Sequence, residues 1–173
     1  MLANIGAICQ EQGRADEARL HLEAALVLLR EAREYAFEGI VLQSLGLLHL
    51  DAGRTDASRA SLEAALAVHR SRGDGRLEGA VLGDLARLAL HLGLDGEARA
   101  ALERGEALLR EVDDPIELAK LLCVRGQADL AAGDAAAARA ALVEAESIAR
   151  SLGIAPTAAV WRAVENLRGR VTA

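Results

Sequence analysis

The sequence predicts an all-α fold of antiparallel helix pairs stacked along the chain, and three observations predict it. The 173 residues are 52% apolar but only 2% aromatic, with two prolines among them. Such a core is built from Leu, Ala, Val and Ile, and Ala and Leu are the strongest helix formers. The chain also repeats itself at a period of 40, without gaps, over four copies, which is the mark of a repeat architecture. Finally, each copy has a glycine at its centre, where a helix can end in the left-handed conformation.

The register is carried by four kinds of column. Gly13, Gly53, Gly93 and Gly133 coincide, as do Leu22, Leu62, Leu102 and Leu142. Small residues coincide at Ala18, Ser58, Ala98 and Ala138, and again at Ala25, Ala65, Gly105 and Ala145. Short side chains in these columns let antiparallel helices approach closely, with a large Leu filling the space beside them. Two rows of arginine recur, one at Arg19, Arg59, Arg99 and Arg139, the other at Arg30, Arg70, Arg110 and Arg150. Acidic residues four positions from Arg19, Arg59 and Arg99 and from Arg70, Arg110 and Arg150, and the helix dipole at the second row, give both rows a solvated structural role.

Each unit divides at its central glycine into two helices. In the second unit Val41, Leu42, Leu45, Leu48 and Leu50 have helical apolar spacing before Gly53, and Ala57, Leu62, Ala65, Leu66 and Val68 resume it afterwards. The units are separated by a second set of breakers, Gly73-Asp74-Gly75, Asp113-Asp114-Pro115 and Gly153 to Pro156. At the first junction, REAREYAFEG contains no breaker between its two helices, and the turn there follows from the register alone. The expected organisation is a single domain over 1–173, with repeats 1–35 (N-terminally incomplete), 36–75, 76–115 and 116–155 and a capping helix over 156–173. Pro156 is expected to open that helix. Its stripe of Val160, Trp161, Val164, Leu167 and Val171 makes Trp161 a packing anchor, while Arg162, Arg168 and Arg170 can face water.

The first helix of a unit resembles the tetratricopeptide repeat (TPR) pattern of an aromatic, two residues, Leu-Gly, two residues and Tyr. Leu42, Leu45, Gly46 and His49 occupy those places in LQSLGLLH, as Leu2, Ile5, Gly6 and Cys9 do in the first unit. After the central glycine, the pattern of Ala, three residues and an aromatic becomes Ala18 to Leu22 and its three equivalents. Aliphatics replace the aromatics, Arg30 and its equivalents stand for the closing proline, and the period is 40 rather than 34. HEAT and armadillo repeats match this length but do not explain the Leu-Gly and Ala-x-x-x-Leu spacing. The resemblance implies a right-handed superhelical solenoid, of the longer kind found in bacterial regulatory and signalling proteins.

Composition and motifs exclude several classes of function. A net charge of −6 disfavours nucleic acid, which needs a basic patch, and no apolar stretch approaches the roughly 20 residues needed to span a bilayer. Cys9 and Cys123 form no disulfide framework, and with no signal sequence at the start a cytoplasmic location is expected. His21, His49, His69 and His91 lack metal-site spacing, GDGRLEG at 73–79 is a turn rather than a phosphate loop, and no metal or other cofactor is expected. A catalytic set such as Cys123, His91 and Asp51 could assemble only by long-range coincidence, so no enzyme activity is expected.

What remains is recognition of a protein or peptide. In TPR proteins the first helices line the concave face, and the resemblance carries that face onto Ala3, Ala7, Gln10 and Glu11, then Gln43, Leu47, Leu50 and Asp51. In later units it implies Gly83, Arg87, Leu90 and His91, then Cys123, Gln127 and Leu130. The leucines among polar residues suit an amphipathic helix or an extended segment, or else pack against the second helices. The expected function is a noncatalytic interaction scaffold within a larger bacterial regulatory or signalling protein. Because Met1 aligns with Val41, the first repeat lacks its opening turn, which predicts either more protein before it or a covering subunit. The alternative is therefore an architectural module that forms a homodimer through its N-terminal repeat.

Overall fold

A computed structural model describes residues 14–172 of the chain. Within them lie eight α-helices: α1 (Ala15–Glu31), α2 (Tyr35–Asp51), α3 (Thr55–Ser71), α4 (Gly75–His91), α5 (Asp95–Glu111), α6 (Pro115–Ala131), α7 (Ala135–Ser151) and α8 (Ala159–Val171). The first seven are each 17 residues long and begin every 20 residues, so each 40-residue sequence unit is two geometric half-units.

The regularity is set by the turns. At each one the third residue after the helix donates its N–H to a carbonyl five residues back, as Arg54 does to His49 at 2.8 Å. The residue before it donates to a carbonyl three residues back, as Gly53 does to Leu50 at 2.9 Å. This is the Schellman closure, which needs a left-handed residue between the helices. Gly53, Gly73, Gly93, Gly133 and Gly153 supply it with φ between 62° and 80°, while Arg33 (57°) and Asp113 (53°) adopt it with a side chain. The junction without Gly or Pro thus closes by the same hydrogen bonds as the others, at the cost of placing Arg33 in a conformation that disfavours a Cβ. Pro115 stands at the start of α6 and Asp114 caps it, its carboxylate accepting from the Glu117 N–H at 2.9 Å.

The chain divides into two compact units, residues 1–74 and 75–173. In the first, Ala18, Leu22 and Ala25 of α1 pack with Val41, Leu45 and Leu48 of α2, and α2 lies against α3. The α2–α3 crossing is close because Gly46 leaves room for Leu62, and a Cβ on Gly39 would meet the ring of buried His69 at 2.5 Å. In the second unit the core runs from Ala86 and Leu102 through Leu109, Leu121 and Leu122 to Leu142, Val164 and Leu167. Gly79 receives Leu109, and Gly105 receives Leu121.

The capping helix begins later than the sequence predicts. Pro156 lies in a turn, and α8 starts at Ala159. Two hydrogen bonds explain the delay: Ala158 donates to the Ala155 carbonyl at 2.9 Å, and the Trp161 indole N–H donates to the Ile154 carbonyl at 2.9 Å. The connection is thereby held as a compact turn, and Trp161 acts as its anchor. Val160, Val164 and Leu167 are buried, with Leu167 seated against Gly126.

Ion pairs link helices as well as turns of one helix. Arg19 and Glu23 pair at 2.8 Å and Arg59 and Glu63 at 3.8 Å, the i,i+4 pairs read from the sequence. Arg30 instead reaches from α1 to the nearly buried Glu38 of α2 at 2.8 Å. Glu106 of α5 binds both Arg110 and Arg125 of α6, and Glu146 of α7 binds Arg150 and Arg168 of α8. Arg168 is therefore engaged in fastening the cap to α7 rather than left to water. Burial pushes the Glu106 carboxyl upward, but its two arginines more than offset this and hold it below the usual range. At Glu146 the hydrogen bond from Arg168 leads the same downward shift.

Candidate functional site

The first helices of the repeats, α2 in one unit and α4 with α6 in the other, carry the candidate recognition residues. A helical face is defined by positions three, four and seven apart. On α2 the outward row is Phe37, Ile40, Ser44, Leu47 and Asp51, of which Phe37 is 59% and Ile40 41% exposed. On α4 the same row is Leu77, Ala80, Asp84, Arg87 and His91, and on α6 it is Glu117, Lys120, Val124, Gln127 and Ala131.

Leu47, Asp51, Arg87, His91 and Gln127 of the expected set lie on these rows. Gln43, Leu90 and Leu130 lie at their flanks, partly buried. Leu50 is 8% exposed, and Cys123, at 1%, belongs to the core of the second unit. Gln10 and Glu11, with Ala3 and Ala7, lie outside the described residues. Sequence reasoning did not single out Phe37, Ile40, Asp84 or Lys120. The signal available for them was the spacing back from Leu47 and Asp51, and from Arg87 and Gln127.

The chemistry of the rows changes along the chain. The α2 row is apolar and aromatic at its N-terminal end. The α4 row has Arg87 bound to Asp84 at 3.2 Å, and the α6 row has Lys120 bound to Glu117 at 2.7 Å and Gln127 donating to Asn166 at 3.5 Å. An apolar anchor thus suits α2, whereas α4 and α6 offer hydrogen-bonding and charged groups of both signs.

Cys123, the candidate nucleophile, lies in the core of the second unit. Burial first, then the charge of Glu146, pushes the Cys123 thiol up to about 12, so the thiolate is scarce at neutral pH. His91 stands exposed at the end of α4. Among the described residues no group of three or more His, Cys, Asp or Glu is placed to hold a metal ion. No described helix is long and apolar enough to cross a membrane.

A second feature of the 75–173 unit is an open cleft bounded by Leu90 at the end of α4, by Arg99 and Leu102 of α5, and by Arg125, Ala128 and Asp129 of α6. Asp129 Oδ2 is buried there with no hydrogen-bond partner among the described residues. Burial is the main cause that raises the Asp129 carboxyl above its ordinary value, with the charge of Asp134 adding to it and those of Arg125 and Arg99 opposing.

Helix pairs of equal length, closed by one turn geometry and packed through small-residue columns, define an all-α repeat scaffold. The tetratricopeptide repeat model matches residues 1–71, and the described helices beyond that stretch continue the same turn geometry. The chain is similar in structure to BtubC (BKLC) from P. vanneervenii, with a TM-score of 0.74 and 18% identity over 89% of this chain and 64% of that one. It therefore spans less than two thirds of the length of BtubC. It is also similar to the nearly identical TPR-like repeats of a Podosopora anserina kinesin light chain, with a TM-score of 0.70 and 17% identity over 98% of this chain and 83% of that one. A single-substitution form of those repeats gives a TM-score of 0.69 at 16% identity, over 99% and 91% of the two chains. At these identities the likeness is one of fold. No curated protein matches the sequence.

Proposed function

We propose that the chain is a noncatalytic interaction scaffold that holds a peptide or helix of a partner protein against the outward rows of its first helices. TPR repeats generally mediate protein–protein interaction, and one observation carries the reading here. The packing columns repeat, whereas the outward rows differ in every copy and, on α2, leave Phe37 and Ile40 largely exposed. Exposed apolar side chains in a row on one helix face are the anchors that helix-in-groove recognition uses. Membership in a larger bacterial regulatory or signalling protein is the finer part of this reading and rests on the 40-residue repeat length.

Photocrosslinking tests it. A photoreactive residue at Leu47 or Arg87 is expected to trap a partner from the native cell extract, and one at Val143, exposed on α7, is not. Equal trapping at all three positions, or trapping at Val143 alone, counts against it.

A second reading, self-association through the N-terminal unit, is supported by Leu20 and Val27, which lie one above the other on α1 at 57% and 56% exposure. Light scattering over a concentration series tests it. A mass that stays monomeric at high concentration counts against it, and Leu20→Asp is expected to abolish any dimer that forms.

A further inference from the structure

The cleft beside Asp129 exists because repeat four departs from its neighbours at three positions of one helix face. Arg125 stands where the earlier copies have Leu45 and Leu85, Ala128 where they have Leu48 and Leu88, and Asp129 where they have His49 and Ala89. The exchange of leucine for Ala128 removes the side chain that would fill the space, and Asp129 places a carboxylate against what remains. Two of the groups beside that carboxylate are not available to donate to it. Arg125 turns to Glu106, and Asp134 is acidic and caps the Ala137 N–H at 2.9 Å. Among the described residues Arg99 forms no ion pair, although Arg19 and Arg59, its equivalents, bind their glutamates.

A carboxylate with one oxygen buried and no donor among the described residues is poorly hydrated, which is costly and favours a donor from outside at its open oxygen. The surroundings select its sign. Asp95, Glu103 and Asp129 face Arg99, while the charge of Arg125 is already met by Glu106, so the cleft favours a cation. With Oδ2 buried, a group in the cleft can reach only the other Asp129 oxygen, which suits the compact ammonium of lysine better than the two-pronged guanidinium of arginine, which needs both. Leu90, Leu102 and Ala128 offer an apolar wall for a four-carbon stem.

We propose that this cleft receives a lysine side chain of a partner polypeptide, its ammonium donating to Asp129 and its stem lying along Leu90, Leu102 and Ala128. The proposal rests on the scaffold reading but uses a cleft apart from the outward rows. Crosslinking from Leu47 and Arg87 can therefore succeed while the lysine cleft fails, and the reverse.

The test uses the full chain and three probes: Nα-acetyl-lysine methylamide, its Nε-acetylated neutral form, and Nα-acetyl-arginine methylamide. The side-chain carboxyl resonance of Asp129 is followed by NMR. The lysine probe is expected to produce a saturable shift, at least about tenfold tighter than the neutral form, a gap of about 1.4 kcal/mol. Asp129→Asn, nearly isosteric and checked for fold by circular dichroism, is expected to abolish the difference between the two probes. Arg99→Ala is expected to strengthen lysine binding roughly threefold by removing a competing exposed charge. Equal binding of charged and neutral probes, an arginine probe that binds tighter than lysine, or weaker lysine binding in Arg99→Ala would each overturn the proposal.

Discussion

Two equivalent places in the repeat, one in each unit, answer the same packing problem in opposite ways. Around His49 of α2 the neighbouring groups are Arg19, Leu22 and Glu23 of α1. Around Asp129 of α6 they are Arg99, Leu102 and Glu103 of α5, each eighty residues further on. In the first unit the polar groups at that place are paired with one another. Arg19 binds Glu23, Arg54 donates to His49 Nδ1 at 3.0 Å, and Leu45 and Leu48 are buried behind them. In the second unit Arg99 and Glu103 form no ion pair among the described residues, the position of Arg54 is taken by Asp134, and Arg125 and Ala128 replace the two leucines. One helix-pair geometry therefore supports either a satisfied seam or an open, acidic one, and three side chains decide which.

The largest expected effect tests whether the two places share one scaffold. Leu22→Ala and Leu102→Ala, at 2% and 4% exposure, should each cost about 2–5 kcal/mol in chemical denaturation. Costs that differ by more than that whole range would mean that the two packing sites are not equivalent. The next concerns a crossing that glycine opens in the first unit, as Gly79 does for Leu109 in the second. Gly39→Ala drives a Cβ into the His69 ring and should cost about 1–3 kcal/mol, whereas repeat four already carries alanine at both equivalent positions, Ala119 and Ala149. Asp113→Gly removes a side chain from a left-handed residue and should stabilise by about 0.5–1 kcal/mol. A loss of stability would show that the Asp113 side chain contributes something the turn itself does not need.

The smallest effect is the most specific to the comparison. Asp129→Ala restores the residue of repeat three and should raise the melting temperature at pH 7, with less gain at pH 3. The sign follows from a carboxyl raised in the folded state. Its ionisation is opposed by folding, so the stability it withholds is withheld above the folded value and returned as pH falls below the ordinary value of 3.8. His49 is shifted the other way, first by burial and then by Arg54. Folding holds its imidazole neutral, so its contribution is present above 6.5 and is lost as pH falls. Acidification thus weakens the seam around His49 and relieves the cleft around Asp129.

The scaffold was legible in the sequence because packing repeats its letters. Gly53, Leu62 and Ala65 recur in register, since each turn needs a left-handed residue and each crossing a short side chain against a long one. The turn at Arg33 carried no local signal, because it is imposed by the helices on either side. Pro156 misled for a related reason: it is compatible with a helix start, but the bond from Trp161 to Ile154 moves the boundary to Ala159. The recognition rows were legible only in part. A small rotation of a helix about its axis separates Leu47 from Leu50, or Gln127 from Cys123, and that rotation depends on which neighbours the helix packs against. The Asp129 cleft was visible as a break in columns otherwise apolar, yet whether such a break is solvated or buried is a property of packing.

A single pH titration of the full chain, following the His49 imidazole and the Asp129 carboxyl by NMR, tests the contrast most directly. His49 is expected to titrate below 6.5 and Asp129 above 3.8. An Asp129 that titrates at or below 3.8 would mean that a donor within the chain already satisfies it, and would contradict the open cleft.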